Sequence, residues 1–281
     1  MPTRDILFPM MSYPTPPTNG SIEKAVAVAA GLGAHIAGLT FELDIRSPVG
    51  LYAHPVNISG IIAAEKAKSA SNARNLIANF DGASTRQGLM HERFLEHCAP
   101  NELARVLVLH ARLRDLSIFS VNPEVEGQRP LVEALIFESG RPVLLLPEAT
   151  TRQLSSSFDS IAVAWDHSRS ATRAVADALP LLQAAKHVHV VTVVGEKRLQ
   201  NDGSGLALSK HLARHGVEVT FEPVKAKTRA IGEVLESYVV ERDTDLLVMG
   251  AYGHSKLREF ILGGATKSVL TRPFTWTLLS H

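Results

Sequence analysis

Cysteine occurs once in the 281 residues, at Cys98, so no disulfide can close within the chain. A disulfide-stapled secreted fold is excluded and a reducing compartment expected. Charge of one sign is lacking too: 29 Lys and Arg face 28 Asp and Glu, a net +1. That balance gives no electrostatic case for nucleic acid or an anionic membrane as partner. No apolar run approaches the ~20 residues of a membrane span. The opening MPTRDILFPMMSYPTPP is broken by prolines and reads as no secretory signal. The expected location is the cytoplasm. No G-x4-G-K-[ST] loop occurs, which removes the P-loop route to nucleotide. What remains is ordinary globular material, 45% hydrophobic and 20% charged, long enough for two domains with sizeable cores.

The most informative stretch is residues 246–264, LLVMGAYGHSKLREFILGG. Leu246 to Met249 read as a buried strand, and Leu257 to Leu262 as the start of a helix. Between and after them stand Gly250, Gly253, Gly263 and Gly264. Glycines at a strand-to-helix junction let the backbone approach a ligand, and free amides at the next helix start favour an anion. That combination suits the phosphates of a nucleotide. The competing reading is that these glycines only make turns.

The chain also repeats itself. Asp115-Leu116-Ser117-Ile118-Phe119 opens an apolar strand and Arg141-Pro142 precedes a closing one. Asp245-Leu246-Leu247-Val248-Met249 and Arg272-Pro273 do the same at nearly equal separation. First strands are Ile6-Leu7-Phe8 and Ile161-Ala162-Val163, and residues 148–157, EATTRQLSSS, form a polar linker. Strands alternate with helical segments in both halves, which predicts parallel βαβ units. The second half reads as strand 161–165, helix 170–185, strand 188–194, helix 206–214, strand 217–224 and helix 230–241 before the glycine stretch. The first reads as helix 22–32, strand 35–41, helix 58–80, strand 89–94 and helix 101–110 before Asp115.

The spacing G-x2-G-x9-G, the Asp-opened strand before it and the sequence ATKSVL-TRP after it resemble the nucleotide loop of the universal stress protein family. The resemblance implies two tandem α/β domains, each a five-stranded parallel sheet of the Rossmann-like, adenine nucleotide alpha hydrolase-like kind. They would span residues 1–147 and 158–281 and pair through their last strands, 141–146 against 274–279, as an intramolecular pseudo-dimer. It further implies ATP as ligand, with or without magnesium. Asp166 would contact the nucleoside, the Val193 backbone would meet the adenine, and Gly250, Gly253 and Gly263 would cradle ribose and phosphates. The family pattern has Ser or Thr after the third glycine; here it is Gly264, with Thr266 able to supply a hydroxyl two positions on. Trp165 would pack in the core or stack on the base, and Lys256 and Arg258 follow the loop. In the first half Met11, Ser120 and Pro123 stand where Asp166, Gly250 and Gly253 stand in the second. Proline has no amide to donate, so the first half is expected to be a structural or docking domain without the nucleotide loop.

Other constellations carry less. Asp166-His167-Ser168 contains triad residue types, but neighbours at a turn do not aim at one another and no nucleophile elbow occurs. His211 and His215 are spaced i,i+4, as metal ligands can be, yet no third ligand suggests itself and the expectation is a solvated helix face. Of His187 and His189 one is expected to face solvent. Residues 11–20, MSYPTPPTNG, read as a rigid connection or a partner-binding loop. The expected function is nucleotide sensing in stress response, with a protein partner and possible pairing of two chains. The alternatives are a nucleotide-free interaction module and a weak ATP hydrolase. No base or γ-phosphate arginine suggests more than slow turnover, and no catalytic residue is assigned.

Overall fold

The computed structural model describes residues 3–46, 58–149, 157–195, 203–251 and 264–281. Ten strands form one sheet. In the first half β1 (Asp5–Met10), β2 (His35–Leu43), β3 (His91–Cys98), β4 (Leu116–Val121) and β5 (Val143–Pro147) are all parallel. In the second, β6 (Ser160–Ala164), β7 (His187–Val194), β8 (Val219–Lys225), β9 (Leu246–Gly250) and β10 (Trp276–Ser280) are parallel likewise. The order across the sheet is β3-β2-β1-β4-β5-β10-β9-β6-β7-β8. Each half is therefore doubly wound, with its order reversing between β1 and β4 or between β6 and β9.

The halves join where β10 runs antiparallel to β5, pairing Thr277 with Leu145, Leu278 with Leu144 and Leu279 with Val143. Both strands are buried throughout, and either would be an unpaired apolar edge alone. The true edges, β3 and β8, mix exposed and half-buried residues with only Cys98 buried, which suits strands with one open side.

Helices cover both faces. On one lie α1 (Asn19–Gly31), α2 (Ile58–Arg86), α5 (Arg169–Ala184) and α6 (Ser204–Arg214). Ile22, Phe80, Ala174 and Leu212 from these helices share a core that runs unbroken across the seam through Leu144 and Leu278. On the other face lie α3 (Leu103–Arg112), α4 (Gln128–Glu138), α7 (Ile231–Glu241) and α8 (Gly264–Thr271), around Leu107, Leu135, Leu235 and Val269. Apolar strands such as β4 and β9 follow from this coverage, since neither side meets water.

One device starts both halves. The Asp115 carboxylate accepts from the amides of Arg4 (2.9 Å) and Asp5 (3.1 Å), and that of Asp245 from Asp159 (2.9 Å) and Ser160 (2.8 Å). In return the Asp115 and Asp245 amides donate to the Asp5 and Ser160 carbonyls, both at 2.9 Å. The repeated Asp seen in the sequence thus ties the fourth strand of each half to its first. It also aligns the halves residue by residue: Met11 falls on Asp166 and Ser120 on Gly250.

Element boundaries differ from the sequence reading in a few places. The helix expected over 58–80 runs on to Arg86, because Ala83 and Ser84 remain buried after the apolar pattern thins. The strand expected at 89–94 accordingly starts at His91 and ends at Cys98, after Gly88 turns the chain at φ 62°. The helix start expected at 257–262 lies outside the described residues; the helix they do contain begins at Gly264.

Candidate functional site

The second half presents its switch point at the carboxyl ends of β6 and β9. In register, Ala164 pairs with Val191 of β7 and with Met249 of β9. Two residues beyond that row in each strand stand Asp166, Val193 and Ala251. By the two-residue period of a strand they face one side of the sheet, the side of α7 and α8. Val193 is partly buried against that core and pairs with Val224 of β8. Asp166 is half-buried, and its Oδ1 accepts from the Ser168 amide at 3.0 Å. Asp166 is thus the turn residue and Ser168 the helix cap, accepting from the Ala171 amide at 3.1 Å. The turn carries His167 at φ 61°, a left-handed conformation uncommon outside glycine but one in which histidine is enriched.

Trp165 points to the opposite face. It is 7% exposed, belongs to the core under α5 and α6, and donates its indole Nε1–H to Ser204 Oγ at 3.2 Å. Of its two expected roles, core packing is the one seen. No sequence signal pointed to Ser204, which lies 39 residues away.

The glycines behave unalike. Gly250 closes β9, and a Cβ there would lie inside contact distance of the Ala171 amide nitrogen and 2.5 Å from the Ser170 carbonyl carbon. The strand end and the first turn of α5 therefore touch backbone to backbone, which only glycine permits. Gly264 opens α8, and a Cβ there would meet nothing within 4 Å among the described residues. Thr266 is 3% exposed within α8. Gly253, Lys256, Arg258 and Gly263 lie outside the described residues. The structure thus brings Asp166, Val193 and Gly250 together at one strand edge, with Gly264 and Thr266 on the helix that follows the glycine segment.

The first half is built differently at the same place. Met11 is 8% exposed in the core, and Ser120 donates to Glu148 Oε1 at 2.8 Å. Ser12, 1% exposed, donates to the Phe41 carbonyl at 2.5 Å and bonds the Ser69 hydroxyl at 2.9 Å. Asn72 Nδ2 donates to the Ser12 carbonyl at 2.8 Å. The long α2 thereby pins the β1–α1 connection down, the rigid-connection reading of residues 11–20. Tyr13 in that connection is pushed up in pKa by desolvation and by neighbouring Glu65. Cys98 is buried and its thiol pushed up, with Glu102 and Glu96 adding to the effect, so it is no reactive thiolate.

Among the described residues no group of three or more His, Cys, Asp or Glu is placed to hold a metal ion. No described helix is long and apolar enough to cross a membrane. His187 is exposed while His189 is part-buried and bonds Glu222 Oε1 at 3.1 Å.

Fold and switch point together define a tandem pair of doubly wound α/β domains fused through their last strands. Residues 157–273 match the model of the Universal stress protein family, so the second half carries a domain of that family. Two solved structures span it nearly end to end. A universal stress protein from Archaeoglobus fulgidus DSM 4304 is 16% identical, with 98% of this chain and 95% of that one covered and a TM-score of 0.69. A protein from Pseudomonas aeruginosa UCBPP-PA14, assigned to the universal stress proteins, is 15% identical, with 99% and 93% covered and a TM-score of 0.59. At such identities the likeness is one of fold. No curated protein matches the chain in sequence.

Proposed function

We propose that the second half binds an adenine nucleotide, ATP with magnesium, and that the protein acts as a nucleotide-responsive partner-docking protein of the cytoplasm rather than an enzyme. The observation that carries this reading is the meeting of Asp166, Val193 and Gly250 at the switch point, directly before the glycine-rich segment. Open α/β sheets take ligands at the carboxyl ends of their strands where the order reverses. The donor set suits the ligand: Asp166, oriented by the Ser168 amide, can accept from ribose hydroxyls. Val193 offers backbone to a base edge. Gly250, Gly253, Gly263 and Gly264, with the Thr266 hydroxyl, would surround the phosphates. The first half, residues 1–147, has Met11 and Pro123 where the second, residues 158–281, has Asp166 and Gly253, and serves as a docking domain. Pairing of two chains belongs to the same proposal.

One observation favours the nucleotide-free alternative. Gly250 is accounted for by its contact with α5, so this glycine would be needed in the absence of any ligand. Calorimetry with ATP and magnesium separates the two readings, run on the intact chain, on Gly253→Pro and on Asp166→Ala. Saturable binding lost in both variants supports the site. A folded intact chain that binds no nucleotide sinks it and leaves the interaction module. ATP turnover abolished by Asp166→Ala would move the assignment to a hydrolase.

A further inference from the structure

On the amino-terminal side of the sheet, away from the switch point, α6 ends in two histidines that the reading above does not use. His211 and His215 stand four residues apart, one in the last turn and one at the C-cap, so they lie one above the other on a single helix face. Their rings are 4.7 Å apart between centroids and inclined at 67°. Both residues are exposed, and neither imidazole has a hydrogen-bond partner or counter-ion among the described residues. The backbone beneath them is fixed: Gln183 Nε2 on α5 donates to the His215 carbonyl at 2.9 Å, and the His215 amide donates to Leu212 O at 2.9 Å. Six other histidines among the described residues are engaged. His35, His91, His97, His110 and His189 each face a carboxylate, and His281 bonds the Ala251 carbonyl.

We propose that His211 and His215 form a chelating site for one divalent transition-metal ion of borderline softness, such as Cu2+, Ni2+ or Zn2+. Two imidazole nitrogens bound cis to a metal at 2.0–2.1 Å lie about 3 Å from each other. Rings with centroids 4.7 Å apart reach that separation by side-chain rotation alone, with no movement of the helix. The i,i+4 spacing on one helix face is the one zinc proteases use for two of their ligands. The C-terminal end of a helix carries the negative end of its dipole and so favours a cation. Imidazole ligands select copper, nickel and zinc over magnesium and calcium, and the order of affinities puts copper first. With no third His, Cys, Asp or Glu placed to join among the described residues, the other coordination positions belong to water.

The test uses the full chain and NiCl2 as probe, in calorimetry without nucleotide, so that it is independent of the nucleotide reading. One nickel per chain is expected. Losing either imidazole turns a chelate into a single contact, so His211→Ala and His215→Ala should each weaken binding by about a hundredfold. His187→Ala, another exposed histidine on the same side of the sheet, should leave it unchanged. NMR of the imidazoles gives a readout that needs no variant: paramagnetic Ni2+ should broaden the His211 and His215 signals first. Absence of binding, binding equal in the alanine variants, or broadening centred on other histidines would overturn the proposal.

Discussion

Gly250→Ala tests whether the first glycine of the loop is a packing residue in its own right. A methyl group there would sit 2.5 Å from the Ser170 carbonyl carbon and closer still to the Ala171 amide nitrogen. Both are backbone atoms of a capped helix turn, and neither can rotate away as a side chain would. Overpacking a filled site costs about 1–3 kcal/mol, and backbone against backbone belongs at the upper end. At ~2.1 cal/mol/K per residue the unfolding entropy of the 281-residue chain is about 0.6 kcal/mol/K. A cost of about 3 kcal/mol therefore lowers the midpoint by about 5 °C. Gly264→Ala is the internal control. Its methyl group meets nothing within 4 Å among the described residues, and alanine is the better helix former by up to about 1 kcal/mol. That variant should melt at or slightly above the parent. Thermal unfolding followed by circular dichroism, with nucleotide and metal removed, reads both. If Gly250→Ala melts within about 1 °C of the parent, or both variants fall together, the close approach of β9 and α5 is not what fixes this glycine.

Asp115→Ala and Asp245→Ala each strand two strand-start amides, and should each cost about 1–3 kcal/mol in chemical denaturation. Lying in different halves with no shared partner, the two losses should add in the double variant. Leu144→Ala and Leu278→Ala remove facing residues of the seam, both fully or almost fully buried, and should each cost about 2–5 kcal/mol by the same measurement. Asp159 is held below its usual range chiefly by the Lys186 hydrogen bond at 2.8 Å, and Lys186 is raised in return. The carboxylate's share of stability is present above the ordinary carboxylate range and is lost as pH falls through its lowered value. The ammonium's share is lost as pH rises through its raised one. In Lys186→Met, an NMR titration should find the Asp159 midpoint moved up.

The fold was legible because its two strongest signals are local. Asp115 and Asp245 each precede a run buried on both faces, and the carboxylate that marks the run also caps the first strand. Helix α5 was readable from Ala174, Val175, Ala178, Leu181 and Leu182, a buried stripe at helical spacing. The end of α2 was not, because Asp81, Gly82 and Ser84 look like a turn in sequence while Ala83 and Ser84 are buried against the sheet. The candidate site was legible in part. Asp166 and Val193 could be placed by counting along strands. The contact that requires glycine at position 250 lies with Ser170 and Ala171, 80 residues earlier, and no local pattern reports it. The rivalry between Trp165 as a base platform and as core likewise turned on which face of β6 it leaves from, and on Ser204.

The two halves separate what holds this fold from what is free to vary at its carboxyl edge. The strand-start carboxylates, the five-strand order and the antiparallel seam are common to both, and none involves the strand ends at the switch points. The carboxyl edge is therefore free to differ. In the first half a helix of 29 residues brings Ser69 and Asn72 onto Ser12, and an apolar Met11 takes the place of a carboxylate. In the second the corresponding helix has 11 residues, and its first residue, Ser204, accepts from the Trp165 indole on the far face of β6. A chain built this way can change the carboxyl edge of either half without loss of the shared core, because the seam and the caps do not depend on it.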